Sequence, residues 1–420
     1  MKNRKGIIIL LSRPIISVFG RSRTMKKEIK DLYDLWLKKT EGCAELHDEL
    51  AAIEGKEDEI SDRFYRALEF GTGGLRGVLG AGTNRMNVFT VNQATQGLAD
   101  YLNAKYDSPS VAIAHDSRIN SDVFARGAAG VLAANGIKVY IYPELVPTPM
   151  LSFAVRRLHC SSGIIITASH NPAKYNGYKC YSHEGYQMTD AEANATYECI
   201  RSGKIELIPS SVNEAFYECV LSRRVNPDAV AKGKLKLIYT PLNGTGNKPV
   251  REVLKRAGFD DVTVVPSQEH PDGHFPTCPY PNPEIRQAFE EALKLAENKK
   301  ADLLLATDPD CDRVGIAVNT GDGYKLMSGN EVGVLLTEYV LSSMKAAGTL
   351  PKNPVIVKSF VTTSLVDRVA ESYGCEVRDV LTGFKYIGEI ATELEKKNEG
   401  ERFILGMEES YGYLSGLHAR

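Results

Sequence analysis

The sequence is short of several features that mark large classes of protein. Lysine and arginine number 51 against 53 aspartate and glutamate, which leaves a formal net charge of −2. This balance provides no positive field for nucleic acid and no polybasic patch for an anionic membrane. The eight cysteines include no C-x-x-C pair and no other metal-ligand spacing, so we expect reduced thiols in a cytoplasmic protein. Nothing in the composition indicates an obligate protein partner, and a small-molecule substrate fits best.

The first 24 residues lack the pattern of a targeting segment. Their apolar run is interrupted at Arg13 and Pro14, whereas a signal peptide needs a continuous apolar core and a membrane span needs about 20 apolar residues. A regular pattern begins only after Met25, where 28–37 has the apolar spacing of a helix. We therefore expect Met25 to be the natural start and residues 1–24 to be a non-native extension.

What the sequence does contain is three polar turns, each after a short apolar run that is typical of a buried strand. The pairs of run and turn are 163–166 with 167–172, 303–306 with 308–313, and 402–405 with 406–413. In open α/β sheets the ligand crevice lies beyond the carboxyl ends of the strands, so Ser169 in the first turn is a candidate nucleophile or phosphate acceptor. The alternative is a loop in which serine and asparagine side chains satisfy backbone groups.

The second turn contains alternating aspartates. Asp308, Asp310 and Asp312 would direct their carboxylates to one side of an extended segment, and such hard oxygen ligands suit Mg²⁺. An EF-hand is excluded, because Arg313 and Asn319 stand where its Gly and Glu are required. A haloacid-dehalogenase-like phosphohydrolase also carries Asp-x-Asp after a strand, but it matches this turn poorly. An acidic surface turn is the remaining alternative.

Length and periodicity predict several α/β domains. A chain of 420 residues exceeds what one hydrophobic core usually supports, so two to four domains are expected. Helical periodicity at 92–102 and 125–134 alternates with strand-like runs at 111–114 and 138–142, which favours a parallel sheet covered on both faces. The glycine-rich segment 70–77 permits close approach of a ligand, but it has neither the Walker nor the G-x-G-x-x-G spacing.

At these motifs the chain resembles the α-D-phosphohexomutase superfamily, and within it the phosphoglucomutase branch. The resemblance runs from about Met25 to the last residue and includes the three turns in the family's order. It implies an α/β fold of three successive phosphohexomutase-type domains, in which mixed sheets are sandwiched by helices. The implied domains are 25–205 with the phosphoserine loop, 206–323 with the metal-binding loop and 324–420 with the sugar-binding loop.

The resemblance also implies a role for each candidate site residue. Ser169 carries the phosphoryl group, Arg76 lies near it, and His170 either shapes the loop or polarises the serine. Lys179 is the candidate general acid/base, because a lysine beside phosphate and cationic neighbours can have a lowered pKa; the alternative is an exposed surface lysine. The other implied residues are the metal ligands Ser169, Asp308, Asp310 and Asp312, the charge-stabilising Arg313, and the substrate-binding residues Thr382, Gly383, Lys385, Glu408 and Ser410.

The activity implied is that of a phosphoglucomutase, an isomerase that interconverts glucose 1-phosphate and glucose 6-phosphate. It would use Mg²⁺ and a glucose 1,6-bisphosphate intermediate, with hexose phosphates as its partners. Phosphopentomutase or phosphomannomutase activity is the alternative within the superfamily. Family members continue into a fourth domain that grips the phosphate not undergoing transfer, whereas this sequence stops at Arg420. We therefore expect a truncated chain lacking that domain, and an inactive phosphosugar-binding protein or a metal-dependent phosphohydrolase are further alternatives.

Overall fold

The computed structural model describes residues 26–69, 73–187 and 205–420. These residues divide into two compact units between Tyr65 and Arg66. The predicted extension 1–24 and residues 70–72 of the glycine-rich segment lie outside the described residues.

The first unit consists of the helices α1 (Lys27–Lys39), α2 (Ala44–Ala51) and α3 (Glu57–Phe64). Helix α1 contains the segment 28–37 that the apolar spacing predicts to be helical. The ring of Tyr33 packs edge-on against Phe64 with 6.0 Å between ring centroids. Its hydroxyl donates to the carbonyl of Leu50 over 2.9 Å, which satisfies the polar end of a buried side chain.

The second unit begins with a mixed six-stranded sheet in the order β1-β5-β4-β2-β3-β6. Its strands are β1 (Gly74–Val78), β2 (Ser110–His115), β3 (Lys138–Ile141), β4 (Ser162–Ile166), β5 (Tyr175–Ser182) and β6 (Ile205–Leu207). Strands β4, β2, β3 and β6 are parallel, whereas β5 pairs antiparallel with β4 and with β1. Helices α4 (Val88–Lys105) and α5 (Ser121–Ala134) cover one face, and α6 (Thr148–Arg157) and α7 (Ser210–Leu221) cover the other. The short helix α8 (Ala229–Gly233) follows.

A five-stranded sheet follows in the order β11-β10-β9-β7-β8. Its strands are β7 (Lys236–Thr240), β8 (Asp261–Val264), β9 (Leu303–Thr307), β10 (Val314–Asn319) and β11 (Tyr324–Met327), and its helices are α9 (Asn247–Ala257), α10 (Pro266–Glu269) and α11 (Glu290–Lys299). Strand β7 is parallel to β8 and β9, and β10 is antiparallel to β9 and β11. Tyr324, at which the third domain is predicted to begin, lies in the edge strand of this sheet.

A four-stranded sheet in the order β13-β12-β14-β15 completes the unit. Its strands are β12 (Val355–Ser359), β13 (Glu376–Val380), β14 (Phe403–Glu408) and β15 (Gly412–Ser415), and its helices are α12 (Gly329–Ala346), α13 (Leu365–Ser372) and α14 (Phe384–Lys396). Apolar side chains alternate between its faces: Ile356 and Leu405 pack with α12 and α13, whereas Val357 and Phe403 pack with α14.

Three mixed sheets covered by helices confirm the predicted α/β class. The run Ile164–Ile166 is apolar without a break because the strand is buried on both faces. Helices α4 and α12 begin at capping boxes, in which Asn87 pairs with Thr90 and Ser328 pairs with Glu331. In the part of the chain that the structure describes, no helix is both long enough and apolar enough to cross a membrane.

Candidate active site

A left-handed residue marks each of the three turns that follow β4, β9 and β14. Ser169, Cys311 and Tyr411 have φ angles of 53°, 55° and 70°. A residue other than glycine costs about 1–3 kcal/mol in such a conformation, so surrounding contacts must hold each of these turns in place. All three turns contribute residues to one cavity of about 950 Å³.

The hydroxyl of Ser169 joins the first turn to the second. Its side chain is buried, and Oγ donates to Oδ2 of Asp308 over 3.0 Å. The Nδ1 atom of His170 lies 3.4 Å from the same oxygen of Ser169. The backbone N–H of Ser169 donates to Oγ1 of Thr167 over 2.8 Å, which stabilises the turn at the end of β4. A serine hydroxyl is therefore held against a carboxylate that lies 139 positions later in the chain.

Asp308, Asp310 and Asp312 form a cluster whose ligand oxygens all lie within 4.8 Å of one another. Burial, together with repulsion by the other two carboxylates, raises the pKa of Asp308 well above its usual range. One buried oxygen, Oδ1 of Asp310, has no hydrogen-bond partner among the described residues. A buried polar atom of this kind needs a partner, and a divalent cation with a preference for oxygen ligands would satisfy it. The three residues fit a metal such as Mg²⁺.

The ammonium group of Lys179 lies against this cluster. Its Nζ donates to Asp310 over 2.8 Å and lies 3.5 Å from Asp312. Burial alone would lower the pKa of Lys179, but the two carboxylates outweigh burial and raise it. The same ammonium, with Thr148 as a hydrogen-bond donor, outweighs burial at Asp310 and lowers the pKa of that carboxyl. The predicted lowering of the Lys179 pKa is therefore wrong, because its neighbours are anionic.

The two arginines named from the sequence both line the cavity. The backbone N–H of Arg313 donates to Oδ1 of Asp308 over 3.0 Å, and its guanidinium forms an ion pair with Glu284. Arg76 lies in β1 directly opposite Gly177 of β5, in the same sheet as the strand that precedes the Ser169 turn. The two guanidinium groups therefore come from different α/β domains and reach the cavity that contains Ser169.

His170 is uncharged near neutral pH. Burial, and then the neighbouring Arg313, lower its pKa to about 4. Its ring lies edge-on to Tyr280, with 6.0 Å between ring centroids. The contact with Ser169 places the imidazole where it can polarise the serine, and its packing against Tyr280 also lets it shape the loop.

The predicted substrate-binding residues come together at the same cavity. It is lined by Thr382, Gly383, Lys385, Glu408 and Ser410. Oε1 of Glu408 accepts a hydrogen bond from the backbone N–H of Gly383 over 2.6 Å, and burial raises the pKa of this carboxyl. The adjacent Glu409 instead accepts from Ser359 Oγ over 2.8 Å, so the structure distinguishes two carboxylates that the sequence places side by side.

Three residues in or beside the site were not predicted from the sequence: Thr148 lines the cavity, whereas Arg118 and Glu284 contact residues that line it. Thr148 bonds to Asp310 through both its N–H, over 2.8 Å, and its Oγ1, over 3.1 Å. Glu284 pairs with Arg313. The available signal was their position, since Arg118 and Thr148 follow strands β2 and β3 and Glu284 lies in the segment between α10 and α11.

The fold and the cavity together define a multidomain α/β protein in which a serine, a carboxylate cluster that fits a metal ion and basic side chains share one cleft, a combination suited to phosphoryl transfer. The chain belongs to the phosphoglucomutase/phosphomannomutase family. Models of the family's alpha/beta/alpha domains I, II and III match residues 67–206, 214–321 and 328–420. The predicted superfamily and the succession of three domains are confirmed.

Similar proteins agree with this assignment. A phosphoglucomutase of Staphylococcus saprophyticus is 38% identical over 378 residues, which is 86% of this chain and 67% of the relative. A phosphoglucomutase of Staphylococcus aureus strain MRSA252 is 36% identical over 412 residues, which is 94% of this chain and 71% of the relative. The crystal structure of a Thermus thermophilus protein assigned as a phosphomannomutase superposes with a TM-score of 0.70 at 28% identity, over 84% of this chain and 76% of that one. The chain thus spans about two thirds of the length of its curated relatives.

Proposed function

We propose that the protein is a phosphoglucomutase that interconverts glucose 1-phosphate and glucose 6-phosphate. The observation that carries the proposal is the 3.0 Å hydrogen bond from Ser169 Oγ to Asp308, which holds a hydroxyl that can carry phosphate against a metal-binding cluster. Glu408 and Ser410 line the same cavity, and their oxygens can hydrogen-bond sugar hydroxyls. The names of the curated relatives support glucose phosphates as substrates.

In the proposed reaction, phosphorylated Ser169 passes its phosphoryl group to the free hydroxyl of a hexose monophosphate. The bond from phosphorus to Ser169 Oγ breaks while a bond from phosphorus to the sugar oxygen forms. Oγ keeps the electron pair of the broken bond, and the proton of the sugar hydroxyl passes to a base. The product, glucose 1,6-bisphosphate, turns over within the cavity and returns its other phosphoryl group to Ser169. The released monophosphate is then the positional isomer of the one that bound.

Mg²⁺ held by Asp308, Asp310, Asp312 and an oxygen of phosphorylated Ser169 would supply positive charge to the transferring group. The remaining positive charge comes from the chain. Arg313 and Arg76 line the cavity, and a guanidinium presents two parallel donors that match phosphoryl oxygens. The ion pair with Glu284 orients the guanidinium of Arg313 before substrate binds.

Two side chains are proposed to move protons. The imidazole of His170 lies 3.4 Å from Ser169 Oγ, and this position makes it the proposed acceptor of the proton of the sugar hydroxyl. Lys179 is charged because Asp310 and Asp312 raise its pKa, so it serves as a hydrogen-bond donor and general acid toward the departing oxygen. Thr382, Gly383 and Lys385 would contact the sugar phosphate beside Glu408.

A phosphomannomutase is the second candidate, because the Thermus thermophilus protein with 28% identity carries that assignment. The two sugars differ in the orientation of one hydroxyl, and Glu408, a buried carboxylate that accepts a hydrogen bond from Gly383, is the proposed group that distinguishes them.

We also propose a cellular location and binding partners for the enzyme. We place it in the cytoplasm with hexose phosphates as its partners, in keeping with the free cysteines of the described residues. The proposed domains are those predicted, with the boundary between the second and third placed after Met327, because β11 pairs with β10.

Comparison of substrates under identical conditions tests the function. Purified protein with Mg²⁺ and catalytic glucose 1,6-bisphosphate should convert glucose 1-phosphate faster than mannose 1-phosphate or ribose 1-phosphate. Ser169→Ala should abolish each of these conversions. A faster reaction with mannose 1-phosphate would establish the second candidate, and release of inorganic phosphate in place of isomerisation would establish a phosphohydrolase.

A further inference from the structure

A buried guanidinium outside the cavity holds the turn that carries Ser169. Arg118 follows strand β2, and its side chain has no exposed surface. Nη2 donates to the carbonyl oxygens of Ser169 and Asn171, and Nη1 donates to those of Pro172 and Tyr175 over 3.1 Å each. One side chain thus binds four of the carbonyl groups between residues 169 and 175.

Arg118 is itself fixed from two sides. Its Nε lies 3.3 Å from Oδ2 of Asp116, a fully buried carboxylate that also accepts from the backbone N–H of Arg118 over 2.9 Å and from Ser121 Oγ over 2.7 Å. On the other side, the ring of Phe275 lies 5.0 Å from the guanidinium carbon. Phe275 belongs to the loop between α10 and α11, so the domain that supplies the aspartate cluster also covers Arg118.

Only arginine has the donors that this position uses. Its planar guanidinium presents five N–H groups in a fixed fork, whereas lysine presents one nitrogen on a flexible stem. The four acceptors lie on a turn in which Ser169 adopts a φ of 53°, a conformation that local sequence does not favour. Bonds to the carbonyl of Ser169 and to the carbonyls that follow therefore hold the backbone from which the Ser169 side chain projects.

We propose that Arg118 is a positioning residue for phosphoryl transfer, which keeps Ser169 in its left-handed conformation with Oγ directed at Asp308. This inference rests on the proposed function. Arg118 does not line the cavity, so its effect on the reaction passes through the backbone of the serine turn. A shift of about 1 Å in a reacting group can cost about 100-fold in rate, because the geometry of the approach is lost.

The test compares Arg118→Lys with wild type by two independent measurements. Crystal structures should show that Ser169 leaves its left-handed conformation and that Oγ moves beyond hydrogen-bond distance of Asp308. The kcat for glucose 1-phosphate should fall about 100-fold while KM changes little, since the sugar-binding loop is untouched. In Arg118→Ala, added guanidinium should restore part of the rate, which a purely structural defect would not allow.

A matched control separates positioning from stability. Arg402 is another mostly buried arginine that donates to a backbone carbonyl, that of Asn353 over 2.8 Å, and to a carboxylate, that of Glu376 over 2.7 Å. Arg402→Lys should lower the melting temperature but leave kcat unchanged. Asp116→Asn, which loosens Arg118 without removing it, is a milder second variant and should lower kcat by a smaller factor.

The outcomes separate the inference from the function on which it rests. An unchanged Ser169 geometry in Arg118→Lys overturns the positioning role, and so does a kcat equal to that of wild type. If wild type shows no mutase activity the proposed function fails, but the distance from Ser169 Oγ to Asp308 in the variant still decides whether Arg118 positions the serine.

Discussion

Lys179 and Asp310 form a 2.8 Å hydrogen bond between residues that are 131 positions apart in the chain. Lys179 lies in strand β5 of the first sheet, and Asp310 follows strand β9 of the second. The bond joins the domain that presents the serine to the domain that presents the carboxylate cluster, and it leaves Lys179 charged near neutral pH. Charged groups from both domains therefore set the pKa values at the site.

Lys179→Met should slow the mutase reaction by about 100-fold, because a positioned acid and hydrogen-bond donor is lost. Mg²⁺ affinity should be retained or increase, since no ammonium competes for Asp310. Steady-state kinetics and calorimetric titration with Mg²⁺ measure the two effects. Lys174→Met, at an exposed lysine of the same segment, is the control and should leave both unchanged. A Lys179→Met enzyme with normal kcat would exclude the proposed role.

Asp310→Asn should weaken Mg²⁺ binding at least about 10-fold, because one anionic ligand of the cluster becomes neutral. Titration of Mn²⁺ by electron paramagnetic resonance gives a readout that does not depend on activity. Asp322→Asn removes an exposed carboxylate from a turn of the same domain and should have no effect. Equal metal affinity in the two variants would place the metal elsewhere.

Glu284→Gln should lower kcat about 10-fold, because the Arg313 guanidinium loses its charged partner and part of its orientation. The comparison is with Glu269→Gln, which breaks an arginine pair with Arg251 at the last residue of helix α10. The kcat of each variant is measured at saturating glucose 1-phosphate, and only that of Glu284→Gln should fall. If both variants retain the wild-type rate, Arg313 does not depend on Glu284.

The lowered pKa of His170 leads us to expect that the stability of the protein depends on pH. Its pKa is about 4 in the folded protein and 6.5 in the unfolded chain, so the unfolded chain binds the proton first as pH falls. The free energy of unfolding should therefore decrease between pH 6.5 and 4, by about 1.4 kcal/mol per pH unit at most from this residue, and stay unaffected above pH 6.5. Urea unfolding should show a shallower decrease for His170→Asn. Nuclear magnetic resonance titration of the imidazole with a midpoint at its ordinary value would contradict the account.

Much of the site could be predicted because its reactive residues come directly after the ends of strands. Each of the turns at Ser169, Asp308 and Glu408 comes at the end of an apolar run, which is where the ligand crevice of an α/β sheet lies. The three strands belong to three different sheets, so the run-and-turn pattern locates each turn but not their meeting in one cavity. Local patterns also located helices α4 and α5, although both extend beyond the predicted 92–102 and 125–134. Helix ends are set by caps such as Asn87, which the apolar periodicity does not include.

What could not be predicted depends on long-range contacts. The pKa of Lys179 is raised by aspartates from another domain, so its immediate sequence indicated the wrong direction. Arg118 acts on carbonyls more than 50 positions away, and a carbonyl contact leaves no pattern in side chains. Helix α7 was not predicted, because it buries only Val212 and Phe216 and its apolar periodicity is therefore weak.

The intact mass of the protein tests the central claim most directly. Protein from its native host is compared before and after incubation with glucose 1,6-bisphosphate and Mg²⁺, with Ser169→Ala in parallel. The account predicts a gain of one phosphate on the wild-type chain and none on the variant. A folded wild-type sample that takes up no phosphate, or a variant that takes up as much, would contradict phosphoryl transfer through Ser169.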